Sequence, residues 1–182
     1  MSPTNLVWKT SFNVDLPLLQ KEVAALIERV GFDKSTQQIG LTHTPDCHPH
    51  DKYFQSVGSL YDYEQDQFLY QERDFSILNA DLKGSHLEWI YQNVPFRVAR
   101  MRLMRMPPRK CLSIHDDTGP RFHIAIKTNP FSYLFFPDTQ QSFQIPTDGA
   151  LYGMDATKLH TAFNADLKED RIHLVFSDFD KS

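Results

Sequence analysis

Hydrophobic and polar residues alternate with a period of two through most of the second half of the chain. About eight segments carry the pattern, near 97–106, 111–117, 121–128, 132–136, 141–146, 150–155, 159–165 and 171–177, and period two predicts half-buried strands. Turn signals separate them: Pro107-Pro108, Thr118-Gly119-Pro120, Asn129-Pro130, Pro137-Asp138 and Pro146-Thr147-Asp148-Gly149. Two stretches, Cys111–Thr128 and Lys158–Asp178, each read as a pair of strands joined by a polar turn. In the first, Leu112 and Ile114, then Phe122, Ile124 and Ile126, form the apolar stripe.

The first half has a different rhythm. Leu6–Val14 alternates loosely and reads as a strand. Asp15 then offers an N-cap with Pro17 in the first turn. Leu19, Val23, Leu26, Ile27 and Val30 follow on one helical face before Gly31 ends it. A short strand is expected over Gln38–Leu41. Ser85-His86-Leu87-Glu88 reads as a capping box that opens a second helix closed by Pro95. Between them, His43–Asn79 has no period. His43, Cys47, His48 and His50 match no common zinc spacing, so the segment reads either as a polar loop or as a lid. The expected fold is mainly β with flanking helices, a double-stranded β-helix (jelly roll, cupin-like). It forms a single domain over 1–182, with 1–95 as helical and irregular support and 97–178 as the barrel.

Composition narrows the partners. With 182 residues the chain can bury a sizeable core, and fourteen Phe and seven Tyr favour strands over bundles. A net charge of −4 argues against nucleic acid, whose binding rests on basic surface. No apolar run is long enough to span a bilayer, which argues against a membrane. The N-terminal stretch lacks the basic start and apolar core of a signal peptide, and Cys47 and Cys111 make no disulfide framework; a cytoplasmic setting is expected.

The polar faces of the strands carry the chemistry. His115 and Asp117 are two apart and project the same way, with Asp116 on the other side. His160 lies on a later strand. Arg171 stands opposite Ile172, Leu174 and Phe176, and Arg121 and His123 stand opposite their own apolar stripe. Two imidazoles and one carboxylate on one face of an octahedral ion make the facial triad of non-haem Fe(II) oxygenases, so His115, Asp117 and His160 are the candidate iron ligands. A nearby arginine suits the far carboxylate of an oxo-acid cosubstrate, through a two-pronged ion pair.

His115-x-Asp117, His160 and Arg171 resemble the Fe(II)/2-oxoglutarate oxygenases. Arg121-Phe122-His123-Ile124 with His160, Asn164 and Arg171-Ile172-His173 resembles their aspartyl/asparaginyl β-hydroxylase-like branch, which includes hydroxylases of free amino acids such as proline. The resemblance spans roughly residues 97–178. One departure is Asp117, a ligand that the aspartyl β-hydroxylases proper lack.

The resemblance implies Fe(II), 2-oxoglutarate and O2, with decarboxylation to succinate and CO2 coupled to hydroxylation of an unactivated C–H bond. The expected substrate is a free amino acid or a peptidyl side chain, proline or Asp/Asn-like. Arg171 would clamp the cosubstrate. Arg121 and His123 would help bind cosubstrate or a substrate carboxylate, or would bond each other. Asn164 would contact a ligand or satisfy backbone, and His173 would support the site from behind. Two rivals remain: a cupin-type isomerase or dioxygenase that does not use 2-oxoglutarate, and a non-enzymatic ligand-binding jelly roll.

Overall fold

The computed structural model describes residues 5–62 and 64–182. Strand β1 (Val7–Asn13) leads into helix α1 (Leu16–Val30). Short strands follow: β2 (Gln38–Gly40), β3 (Thr42–His43), β4 (Tyr61–Asp62), β5 (Gln67–Phe68) and β6 (Ile77–Leu78). Helix α2 (His86–Asn93) precedes β7 (Val98–Met106), β8 (Lys110–Cys111), β9 (Arg121–Lys127), β10 (Ser132–Phe136) and β11 (Gln141–Phe143). The chain closes with β12 (Ala150–Met154), β13 (Thr161–Asn164) and β14 (Arg171–Asp178). A major sheet runs β1-β12-β9-β14-β7-β2 and a minor sheet β11-β10-β13-β8, which is a jelly roll of two antiparallel sheets. The first half therefore supplies both edge strands of the major sheet as well as helices.

The helices form where capping and periodicity place them. The Asp15 carboxylate accepts the Leu18 N–H at 3.0 Å, and Gly31 closes α1 with a φ of 74° that a side chain would resist. Ser85 accepts the Glu88 N–H at 3.2 Å, while the Glu88 carboxylate accepts from Gly84 N one residue earlier than a capping box requires. Both helices lay Leu19, Val23, Leu26, Leu87 and Ile90 on the outer face of the major sheet, against Leu103, Ile124, Leu174 and Phe176. A second core fills part of the space between the sheets, with Met106, Ala125 and Met154 facing Leu134, Phe136 and Ala162.

Three expectations need correction. Neither 111–128 nor 158–178 is a hairpin: β8 and β13 belong to the minor sheet, β9 and β14 to the major one. Alternation reveals which side of a strand is buried but not which strand it pairs with. Residues 112–117 are also not a regular strand. They follow the 156–164 segment through separate bonds, Leu112 N to Ala162 O, a His115–His160 bridge, and Asp117 N to Ala156 O. Leu112 and Ile114 are 41% and 56% exposed because this is the open edge of the minor sheet, away from the helices. Cys111 is exposed there too.

Candidate metal centre

The bridge between the two histidines sets the geometry. His115 N donates to His160 O at 3.0 Å and His160 N to His115 O at 2.8 Å, so the two side chains emerge side by side. Asp117 is held two residues on by its N–H to Ala156 O, 2.8 Å. One ligand atom from each of His115, Asp117 and His160 falls within 4.8 Å of the other two. Both rings are oriented from behind: Nδ1 of His115 lies 2.8 Å from Ser113 O, and Nδ1 of His160 lies 2.9 Å from Lys158 O. A carbonyl can only accept, so each ring donates from Nδ1 and keeps the Nε2 lone pair for a metal. Burial pushes the His160 imidazole below its ordinary range, which favours the neutral form that ligation needs. The donor set fits an Fe(II) facial triad. Among the described residues no other group of three such ligands comes together, so His43, Cys47, His48 and His50 form no metal site.

The triad opens on a cavity of about 670 Å³. One wall is the inner face of the major sheet, and Leu134 and Ala162 come from the minor sheet. Gly58, Leu60, Tyr61, Phe68, Tyr70 and Glu72 close another side. The second half of His43–Asn79 thus contributes to the cavity lining.

Four guanidinium groups line the cavity, and they divide into two kinds. Arg100 donates to the carbonyls of Ser56 and Gly58 and to Glu72. Arg121 is paired with Glu72 at 2.9 Å and Asp117 at 3.0 Å. Burial alone would raise the Glu72 carboxyl, but Arg121, Arg100 and Arg102 outweigh it and hold it at about 2. Arg171 and Arg102 have no carboxylate partner among the described residues. Arg171 is 6% exposed and donates from Nη2 to His173 Nδ1 at 3.0 Å. That bond puts the His173 proton on Nε2, which has no partner, and neither ring nitrogen of His123 has one. Burial lowers Arg171 to about 10 and Arg102 to about 9, so both stay cationic at neutral pH. Burial, reinforced by Arg171, pushes His123 and His173 well below the histidine range, so both are neutral. A buried cation without a counter-charge is costly, and buried unpaired polar atoms are rare in native folds. This wall presents buried N–H donors that an anion would satisfy.

No family model matches the sequence, and no curated protein matches it. Solved structures do share the fold. The truncated viral collagen prolyl hydroxylase of Paramecium bursaria Chlorella virus-1 is 10% identical. The match covers 94% of this chain and 90% of that one with a TM-score of 0.51. An oxidoreductase of the 2OG-Fe(II) oxygenase family from Burkholderia pseudomallei is 13% identical, covering 90% and 79%, with a TM-score of 0.50. What the chain shares with these proteins is the jelly-roll fold.

Within this fold the sequence-derived residues take distinct places. His115, Asp117, His160, Arg121, His123 and Arg171 all line one cavity. Asn164 does not. Its Nδ2 donates to Met106 O and Glu169 O, and its Oδ1 accepts from Asn129, Ser132 and Asp166 N. Those bonds tie the β13–β14 crossover together, which is the backbone-satisfying role and not a ligand contact. Glu72, Arg100 and Arg102 belong to the site without having been singled out by the sequence. The parity that exposes Arg121 and His123 applies equally to Arg100-Met101-Arg102 on β7. Glu72 has no such signal, because it sits in a single 3-10 turn over Glu72–Asp74.

Proposed function

We propose that this chain is an Fe(II)- and 2-oxoglutarate-dependent hydroxylase, with His115, Asp117 and His160 holding the iron and Arg171 the distal carboxylate of the cosubstrate. The observation that carries the reading is the combination of two oriented imidazoles and a carboxylate with a buried guanidinium that has no carboxylate partner among the described residues, all in the same cavity. Bound there, iron, 2-oxoglutarate and O2 would supply the oxidation of a C–H bond, with succinate and CO2 as co-products.

The chain's own residues have positioning roles. Arg121 restrains Asp117 from one side while Glu72 restrains Arg121. His173 fixes the Arg171 fork, and His123 presents two unused ring nitrogens beside it. Leu60, Phe68 and Tyr70 give the cavity an apolar side. A free amino acid or an amino-acid side chain, proline or Asp/Asn-like, is the substrate class favoured by the sequence resemblance. The prolyl hydroxylase with the same fold supports it. The free Cys47 and Cys111 suit a reducing cytoplasm.

The test is anaerobic: Fe(II), then 2-oxoglutarate, with the visible metal-to-ligand charge-transfer band as readout. The wild type is expected to show the band, Asp117→Ala to lose it, and Arg171→Met to require far more 2-oxoglutarate. Iron binding without a band at any 2-oxoglutarate concentration would contradict the assignment and favour a cupin-type metalloenzyme.

A further inference from the structure

The second unpaired guanidinium belongs to a different part of the cavity. Arg102 is opposite Val175 on β14, which is in turn opposite His123 on β9, so the three form one row across the sheet. Arg171 is opposite Met106, four residues further along β7. At ~3.3 Å per residue the two rows are set about 13 Å apart along the sheet.

Arg102 is 5% exposed and lines the cavity. Among the described residues it makes a single hydrogen bond, from Nη1 to the Gln38 amide oxygen at 3.0 Å, and its Nε has no partner there. A guanidinium has five donors, so most of this one's capacity is unused. The charged groups near it are Arg100, Arg121, Glu72 and Asp117. Neither carboxylate bonds it. Glu72 Oε1 is held by Arg100 and Arg121, and Oε2 accepts from Ser177 Oγ at 2.8 Å; Asp117 faces Arg121 and the triad.

The backbone arranges this division. Between Ala99 and Arg102, β7 has one residue more than the facing Val175–Ser177 of β14, and the bulge contains Arg100 at a φ of 46°. Left-handed backbone at a non-glycine residue is strained and is kept where the surroundings require it. The bulge directs Arg100 to Glu72 and the carbonyls of Ser56 and Gly58 and leaves Arg102 open to the cavity.

We propose that Arg102, steadied by Gln38, is a second carboxylate subsite, and that the molecule oxidised here carries its own carboxylate. This rests on the oxygenase reading, in which Arg171 is occupied by the cosubstrate. The carboxylate has two possible sources, the α-carboxylate of a free amino acid or the side chain of an acidic residue in a peptide. The Arg102 fork recognises both.

The experiment uses the Fe(II)·2-oxoglutarate protein under argon, titrated with each free amino acid, with its carboxamide, and with N-acetyl-aspartate amide. Perturbation of the charge-transfer band and the rise in melting temperature report binding. At least one free acid or the acetyl-aspartate probe is expected to bind about tenfold or more tighter than its uncharged counterpart, as a charge-assisted contact implies. Arg102→Gln should remove that preference while leaving the 2-oxoglutarate titration unchanged, and Arg102→Lys should retain part of it. Response to the free acids alone identifies the α-carboxylate; response to acetyl-aspartate amide identifies the side chain.

Equal binding of acid and amide, binding by Arg102→Gln as tight as wild type, or no response to any carboxylate in a protein that binds 2-oxoglutarate would overturn the proposal. So would an unliganded Arg102→Gln protein that melts far below wild type, since that marks a structural ion. If 2-oxoglutarate itself fails to bind, the oxygenase reading fails separately. The melting shift of the metal-loaded protein with the same acids then still decides the subsite.

Discussion

Strand β14 has two faces that obey different rules. Ile172, Leu174 and Phe176 point to the helices, where Leu174 and Phe176 are fully buried among Leu103, Ile124 and the apolar sides of α1 and α2. Arg171, His173 and Val175 point between the sheets. There, among the described residues, an arginine has no counter-ion and a histidine Nε2 has no partner, though both side chains are buried. The outer face is complete without any other molecule and stabilises the fold. The inner face is incomplete in isolation, and the missing interactions are all of one kind, acceptors for N–H groups. One strand thus holds the fold together with alternate residues and presents unpaired donors to the cavity with the others.

The contrast makes graded predictions. The largest effect is expected on the outer face: Phe176→Ala should cost about 3–5 kcal/mol in denaturant unfolding by removing a fully buried ring. The next concerns Glu72, the carboxylate that neutralises the satisfied half of the inner face. Its folded-state value is depressed to about 2 from 4.5. Its contribution is therefore complete above pH ~4.5 and lost as pH falls toward ~2, on the order of 3 kcal/mol. Glu72→Gln should lower stability at pH 7 and flatten the dependence over that acid range, as followed by denaturant midpoints at stepped pH. A smaller loss, about 1–3 kcal/mol for unmade buried hydrogen bonds, is expected for Asn164→Ala. That variant should leave the 2-oxoglutarate titration unchanged, which separates a crossover clamp from a ligand contact.

Much of this was legible in the residues because strand parity is a strict rule. The spacing of His115 and Asp117 placed both on one side, and Arg171 fell opposite Leu174, as found. The caps at Asp15 and Ser85 located both helices to within a residue or two. Pairing was not legible, because a polar turn between two alternating segments looks the same whether it closes a hairpin or crosses between sheets. The irregular path of 112–117 was hidden for a related reason: its bonds go to the 156–164 segment, far away in the chain. Glu72 could be found only by folding, since its role depends on Arg100, Arg121 and Ser177 converging on a turn that has no periodicity.

The smallest stability effect belongs to the residue on which the proposed function most depends, and it gives the most direct test. Wild type and Arg171→Met would be melted with Co(II) in place of iron, with and without 2-oxoglutarate. Losing a buried cation that has no counter-ion should leave the unliganded melting temperature equal or higher, while the rise produced by 2-oxoglutarate in wild type should be abolished in the variant. An unliganded Arg171→Met protein that is clearly less stable, yet still stabilised by 2-oxoglutarate as strongly as wild type, would show that the inner face is structural and contradict the account.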